Sequence, residues 1–424
     1  MPKAESLNPK TLHFEWGGPI GAMGIVIFLP IVIIGLNLMC DKSSCNLLPD
    51  LDAMFLSLRA ALPRVPKALV VESVWIVVHC IFYLLPVGPR VEGTQLRNGR
   101  KLSYNINGLY AFALCHFAFF ASALVLNYDY SYLVDDFIPL AIGAILISLG
   151  SSIALYVASF RRNTLLALGG NTGSVVYDFF IGRELNPRLG ELDFKFVMEL
   201  RPGLIGWSML NWAFVLESLK ASTFTPAIAL VALGQSYYVL EAMWFEAGNL
   251  TMMDIVHDGF GYMLMFGDIA WVPFLYTLQC KYLLYNPQRH DTTYLICVTV
   301  INVFGYVLFR GANSQKNTFR LNPKDPSVAH LRVMKTGAGK SLIISGFWGI
   351  CRHPNYVGDW LMGVAWSLFT GSSALIPFFY PIYFGILLMH RQLRDEHHML
   401  EKYGEEDWKK YCKQVPYRLI PYIY

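Results

Sequence analysis

The residues best equipped for chemistry fall in three polar blocks in the last third of a 424-residue chain. The first runs Asn313-Ser314-Gln315-Lys316-Asn317-Thr318-Phe319-Arg320. Lys316 and Arg320 are four apart, so one helix face presents both cations, which repel unless an anion lies between them. A phosphate would meet that need, and so would the headgroups of anionic lipids beside a solvated basic face. The second block runs Gly346 to Asp359 and contains Arg352-His353-Pro354-Asn355-Tyr356. Pro354 forces an extended or turned approach at His353 and lets a new helix begin near Asn355. With Asn355 as its cap, that helix would offer an amide and free N–H groups at its positive end. Trp348 and Tyr356 supply flat faces for stacking a heteroaromatic ring, or equally for anchoring an interfacial turn. The third block runs from His390 to Tyr424, and in it Arg391 and Asp395 are again four apart, the spacing of a plain helix-surface salt bridge.

Familiar nucleotide-binding turns are missing. Gly337, Gly339 and Lys340-Ser341 have the form of a Walker tail, but Met334 stands where its first glycine belongs, and Leu342 occupies the last glycine position of G-x-G-x-x-G. Gly169-Gly170-Asn171-Thr172-Gly173 lacks strand–helix surroundings and reads as a turn. A dinucleotide would therefore be held by something other than a Rossmann turn. HExxH, paired CxxC and G-x-S-x-G are all absent from the sequence, which argues against metallohydrolase and serine-hydrolase chemistry.

The elements that must position these blocks are membrane helices. Hydrophobic residues make up 54% of the chain and charged residues 15%, where a soluble protein has about a quarter charged; mean hydropathy is +0.40. A net charge of +4, without a basic run, gives no reason to expect a nucleic-acid partner. A spanning helix needs ~20 mostly apolar residues. Stretches 18–39, 69–88, 109–126, 137–159, 225–245, 261–283, 293–310 and 376–390 meet this, and 203–219 and 359–375 do so more weakly. The expectation is an all-α integral membrane protein of about ten transmembrane helices and a single domain over 1–424, with N-terminal helices in 1–200 and a ligand-binding part in 201–424. Residues 311–355 are expected to be a long polar loop. The first apolar run is long and no A-x-A site closely follows it, so it reads as an anchor and not a cleaved signal. Arg90, Arg97, Arg100, Lys101, Arg161, Arg162, Lys316 through Arg352, and Arg391 through Lys410 all fall on the N-terminal side of ten spans, whereas 127–136 carries three Asp and no Lys or Arg. The positive-inside rule then puts both termini in the cytoplasm. Segment 41–68 has mixed charge and reads as a loop. Cys40 and Cys45 could bridge if their side is oxidising.

Taken together, "NSQKNTFR", "SGFWGICRHPNYVGD" and "RDEHHMLEKYGEEDWKKYC…VPYRLIPYIY" resemble the sterol reductase family that includes Δ14-sterol reductase, lamin B receptor and 7-dehydrocholesterol reductase. "GFGYMLMFGDIAWVPF" at 259–274 and Asn107-Gly108-Leu109 are similar to the same family, so the resemblance covers most of the chain. Proline in "RHPNY" and the ending "VPYRLIPYIY" favour the Δ14 branch. The chromatin-binding N-terminal region of lamin B receptor is absent.

The resemblance implies an NADPH-dependent reduction of the C14=C15 double bond of a sterol in a bilayer. The membrane would be that of the endoplasmic reticulum in a eukaryote, or the inner membrane in a bacterium. Carried over by motif, the NADPH contacts would be Lys316, Arg320, Ile343, Trp348, Asn355, Tyr356, Asp395, Met399, Leu400, Glu401, Lys402, Tyr403 and Tyr411. "KYGEEDW" has one residue more than some relatives, which weakens the carry-over to Tyr411. Pyrophosphate and 2′-phosphate suit Lys and Arg, and Asp395 should face a ribose, the carboxamide or a neighbouring Arg. An isolated alkene accepts hydride poorly, so a proton must reach C15 before hydride reaches C14, and the site needs an acid in a dry pocket. Tyr238, Glu241, Glu246, Asp254, His257, Asp258, Tyr262 and Asp268 are candidates, with Tyr238 and Glu241 favoured for their depth in an aromatic span. The rival expectations are a sterol reductase of other regiochemistry (Δ7 or side chain) and a non-catalytic membrane lipid-binding or transport protein.

Overall fold

The computed structural model describes residues 7–42, 45–337 and 339–424, so the charges Lys3 and Glu5 ahead of the first span lie outside the described residues. The chain forms two compact units, Met1–Pro287 and Gln288–Tyr424, where the sequence suggests one domain with a division near 200.

The first unit contains α1 (Gly18–Met39), α2 (Leu51–Ala61), α3 (Val65–Leu84), α4 (Gly108–Val125), α5 (Phe137–Ala158), α6 (Phe194–Leu200), α7 (Pro202–Lys220), α8 (Pro226–Trp244) and a broken α9 (Tyr262–Tyr285) that carries a π-turn at Gly267–Trp271. Two short antiparallel hairpins join them, β1 (Arg90–Glu92) with β2 (Ser103–Asn105) and β3 (Arg188–Leu189) with β4 (Leu192–Asp193). Large apolar side chains face outward from the apolar helices of this unit, as a bilayer permits; Ile20 and Phe28 on α1 are 88% and 62% exposed. Helix contacts rest on small residues, as at Gly143, where a Cβ would press on the backbone of Ala68 in α3.

The second unit contains α10 (Thr292–Leu321), the hairpin β5 (Val333–Lys335) with β6 (Ser341–Ile343), then α11 (Pro354–Leu368), α12 (Phe379–Tyr403) and α13 (Glu405–Gln414). Asp291 caps α10 by accepting from the Tyr294 N–H at 2.7 Å. α10 and α11 cross backbone to backbone: a Cβ at Gly305 would strike the carbonyl of Gly358, and one at Gly358 would strike the backbone of Phe309. Glycine at both positions is what allows the approach.

Helices occupy all ten expected stretches, and seven of them, among the described residues, are long and apolar enough to cross a membrane. The other three fall short for different reasons. α7 carries Ser208, Asn211, Glu217 and Lys220, α11 has 15 residues, and α12 turns polar from His390 onward. Two expected loops prove to be partly helical. The second apolar helix begins at Leu51, where the Asp50 carboxylate accepts from the Ala53 N–H at 3.0 Å, and continues through a single 3-10 turn to Leu84. α10 likewise runs 30 residues to Leu321, well into the stretch expected to be loop from 311. Its polar end still buries Ala312 against Val328, Leu331, Ile343 and Trp348, which holds it helical beyond the apolar run. Cys40 and Cys45, expected to pair only on an oxidising side, form a disulfide.

Candidate cofactor cleft

The last turns of α10, the β5–β6 hairpin and the first turn of α11 enclose one end of a cleft with α12 and α13, whose space, counted out to its solvent-filled mouth, amounts to about 840 Å³. Lys316, Phe319 and Arg320 line it from α10, Asn355 and Tyr356 from α11, and Asp395, Met399 and Tyr403 from α12. The α12 set recurs every fourth residue, so one helix face supplies all three. Ile343 on β6, Trp348 in the 3-10 turn Gly346–Gly349, and Tyr411 on α13 complete the expected lining. Trp408, Tyr411 and Val415 pack α13 against Met334, Leu342 and Met399, closing the cleft from the hairpin side. Burial pushes the Tyr411 phenol above its ordinary range, so it stays a neutral donor.

The structure fixes each wall by a specific contact. The Trp348 indole N–H donates to the Ala312 carbonyl at 2.9 Å, and Lys316 Nζ lies 4.4 Å from the Trp348 ring centroid. Trp348 is thus a platform under a cation. The Tyr356 hydroxyl donates to the Asp395 carboxylate, joining α11 to α12. Asn355 Nδ2 donates to Asn313 Oδ1 at 3.2 Å. Asn355 is not the helix cap: Pro354 takes the first helical position, His353 precedes it without a side-chain cap bond, and Asn355 is already inside the first turn. Its amide instead ties α11 to α10.

Three of the expected contacts lie outside the lining. Leu400, Glu401 and Lys402 are exposed and are not among the residues lining the cleft, Leu400 being 38% exposed, although Lys402 lies close enough to Arg320 and Lys316 to repel them; Met399 and Tyr403 line the space. Asp395 accepts from Tyr356 in the cleft wall, and Arg391, one turn earlier on α12, reaches the same Tyr356 hydroxyl. Phe319, Ser341, Leu342, Arg352, His353 and Trp408 line the cleft too, and sequence reasoning does not single them out. Of these, His353 and Arg352 have a signal in the "RHPNY" string itself. Arg352 is held within the wall by other groups: it pairs with Glu396, reaches Cys412 Sγ at 3.2 Å and donates to the Pro416 carbonyl at 3.0 Å. Glu396 also holds Arg418 at 3.2 Å, so the C-terminal tail is bolted to the back of the wall. The His353 ring stacks on Tyr356 with centroids 5.1 Å apart, and burial beside Lys316 and Arg352 drives its pKa down to about 3.

The eight proton-donor candidates all lie in the first unit, and the cleft is lined by the second. Tyr238 is half-buried on α8 with its ring centroid 6.0 Å from that of Trp207, and Glu241 is buried one turn further on. Glu246 pairs with buried Arg201 and accepts from the Gly108 N–H at 2.7 Å, which makes it a structural charge. Tyr262 donates to the Val26 carbonyl at 3.3 Å, and the Asp254 and Asp258 carbonyls each accept from buried Lys195 at 2.8 Å. His257 and Asp268 are half-buried. Groups of three or more His, Cys, Asp or Glu able to hold a metal do not occur among the described residues.

The cleft's donors and acceptors suit a dinucleotide phosphate. Two cations face the space from α10, aromatic faces flank it, and two buried polar atoms in its wall, Asn355 Oδ1 and His353 Nε2, have no partner within the protein. A buried polar atom left unpaired is costly, and a ligand that pairs it recovers that cost.

Comparison with known proteins agrees in extent as well as in kind. The chain is 44% identical to "Delta(14)-sterol reductase LBR" of Gallus gallus over 98% of its own length and 65% of that protein. It is 45% identical to "Delta(14)-sterol reductase TM7SF2" of Mus musculus over 97% of both chains, and 39% identical to "Delta(14)-sterol reductase ERG24" of Saccharomyces cerevisiae over 99% of both. Residues 10–424 match the model of the ergosterol biosynthesis ERG4/ERG24 family, and the chain, a multi-helical protein with apolar spans, belongs to that family.

Proposed function

We propose that this protein is an NADPH-dependent Δ14-sterol reductase of a eukaryotic endoplasmic reticulum or a bacterial inner membrane, with both termini cytoplasmic. One observation supports the cofactor assignment: residues of the family motifs on six separate elements line a single cleft with two cations on one wall. The relatives named above carry Delta(14)-sterol reductase in their names at up to 45% identity, which supports the regiochemistry. The Cys40–Cys45 disulfide supports the orientation, because it lies one span away from the N-terminus and calls for an oxidising side.

When bound, NADPH supplies the hydride that is delivered to C14. The chain's own tasks are to hold, orient and protonate. Lys316 and Arg320 hold phosphate oxygens; Asn355, Tyr356 and Asp395 offer hydrogen bonds to the neutral parts of the nucleotide; Trp348 and Tyr411 keep the cleft lined and dry. The proton delivered to C15 comes from an acid in the first unit, and Tyr238 and Glu241 are the residues proposed for it. Adding that proton breaks the C14=C15 π bond and leaves the positive charge on C14, where the hydride pair completes the reduction. The test is mass spectrometry of the product after the purified protein is incubated with a Δ8,14-sterol and NADPH. The expected product is the Δ8-sterol, two hydrogens heavier. Unchanged substrate, or reduction elsewhere in the ring or side chain, would refute the assignment.

A further inference from the structure

His353 is buried in the cleft wall at 9% exposure, and its Nε2 has no partner within the protein. Its position is over-determined. The backbone N–H donates to the Arg418 carbonyl at 3.1 Å, the ring stacks on Tyr356 at an interplanar angle of 11°, and Nδ1 is 4.0 Å from the Asp395 carboxylate. A carboxylate on the Nδ1 side favours the tautomer with its proton on Nδ1, which leaves the Nε2 lone pair as an acceptor. Asn355 Oδ1 is a second buried acceptor without a protein partner, in the first turn of α11. The cleft therefore has two chemically different parts. Lys316 and Arg320 offer charge to phosphates, while His353, Asn355 and Asp395 offer acceptors to neutral O–H or N–H groups.

The depth of each part follows from the helices that carry it. On α12 the apolar run ends at 390, so Asp395 lies about 8 Å beyond it and Tyr403 about 20 Å beyond it. On α10 the run ends at 310, so Asn313 lies about 5 Å and Arg320 about 15 Å past it. The acceptors lie nearer the apolar spans than Arg320 does, while Lys316, about 9 Å past the run on α10, is level with Asp395, so the mouth is marked by Arg320. A ring that must give hydride to a membrane-dissolved sterol belongs at the deep end.

We infer that His353 is a cofactor-contacting residue whose Nε2 accepts a hydrogen bond from the nicotinamide nucleoside half of NADPH, from a ribose hydroxyl or the carboxamide N–H. This rests on the cofactor assignment above. His353 so reads the half of the cofactor that reacts, and the phosphate-binding cations read the other.

Isothermal titration of purified protein in detergent tests it with two probes, NADPH and adenosine 2′,5′-bisphosphate, which lacks the nicotinamide half. His353→Phe keeps a ring to stack on Tyr356 but has no acceptor; His353→Asn restores a polar group without the ring. The expected result is a loss of about tenfold in NADPH affinity for His353→Phe, with the bisphosphate unchanged and the melting temperature without ligand close to that of the parent. His353→Asn should recover part of the loss. If His353→Phe binds NADPH as the parent does, or loses both probes equally, the inference is wrong. Failure of the parent itself to bind either probe would overturn the cofactor assignment, a separate outcome. An NADPH analogue whose carboxamide is replaced by acetyl separates the two donors: an unchanged tenfold gap between parent and His353→Phe assigns the ribose, and a vanished gap assigns the carboxamide.

Discussion

The Tyr356 hydroxyl donates to the Asp395 carboxylate, so the first turn of α11 and the polar half of α12 share one hydrogen bond across the deep end of the cleft. That bond makes Tyr356 more than a flat face. Tyr356→Phe keeps the ring under His353 but leaves Asp395 without its donor, a loss of about 1.5–3 kcal/mol for a bond to a charged group. Tyr356→Ala removes the ring as well. The increase in melting temperature on adding NADPH should shrink in the Phe variant and disappear in the Ala variant, while both remain folded. An undiminished NADPH shift in Tyr356→Ala would remove this residue from the cofactor site.

Arg320 lies nearer the mouth than Lys316, which is held over Trp348. Both Lys316→Ala and Arg320→Ala should raise the Kd for NADPH by tenfold or more, as expected for a charge-assisted contact of about 1.5–3 kcal/mol. Arg320→Ala should alter NADH binding much less, because the 2′-phosphate belongs to the adenosine half at the mouth. Small, equal losses for both cofactors would point to lipid contact instead.

Burial sets a pH signature. His353 titrates in the unfolded chain near 6.5 and in the folded protein near 3, so below pH 6.5 the unfolded state binds a proton that the folded state refuses. Stability is complete above 6.5 and falls by about 1.4 kcal/mol per pH unit as the pH drops toward the folded value. Lowering the pH from 7.5 to 5.5 should therefore reduce the melting temperature of the parent more than that of His353→Phe. Equal decreases would mean the imidazole is already hydrated in the folded state.

Orientation is open to direct labelling. Lys335 is exposed at the end of β5, and a cysteine there, in a background without free surface thiols, should react with an impermeant maleimide only from the cytoplasmic side. Cys40 and Cys45 should react from neither side until reduced. Labelling at 335 only from the opposite face would invert the topology.

Most of the cleft is legible in the sequence, because its chemistry is written in contiguous polar strings that interrupt an apolar chain. Lys316 and Arg320 are fixed by helical spacing, and Trp348, Asn355 and Tyr356 belong to one short segment. The differences have a common physical cause. Leu400, Glu401 and Lys402 stand between two lining residues of α12, and a run read as a string does not say which of five positions a helix sets against the cleft. Pro354 marks a helix start and so suggests Asn355 as the cap, but proline itself occupies the first helical position. Hydropathy ends near 310 and so suggests that α10 ends there, whereas the helix continues on packing against Trp348 and Leu331.

The sequence by itself determined the apolar helices and the cationic chemistry of the last third, because each depends on residue type and local period. Only the tertiary structure decided that Asp395 accepts from Tyr356, that Arg352 pairs with Glu396 behind the wall where its neighbour His353 stacks on Tyr356, and that Gly305 and Gly358 let α10 and α11 touch. Each of those outcomes depends on which two surfaces meet, and residues far apart in the chain carry no local signal of the neighbour they will acquire.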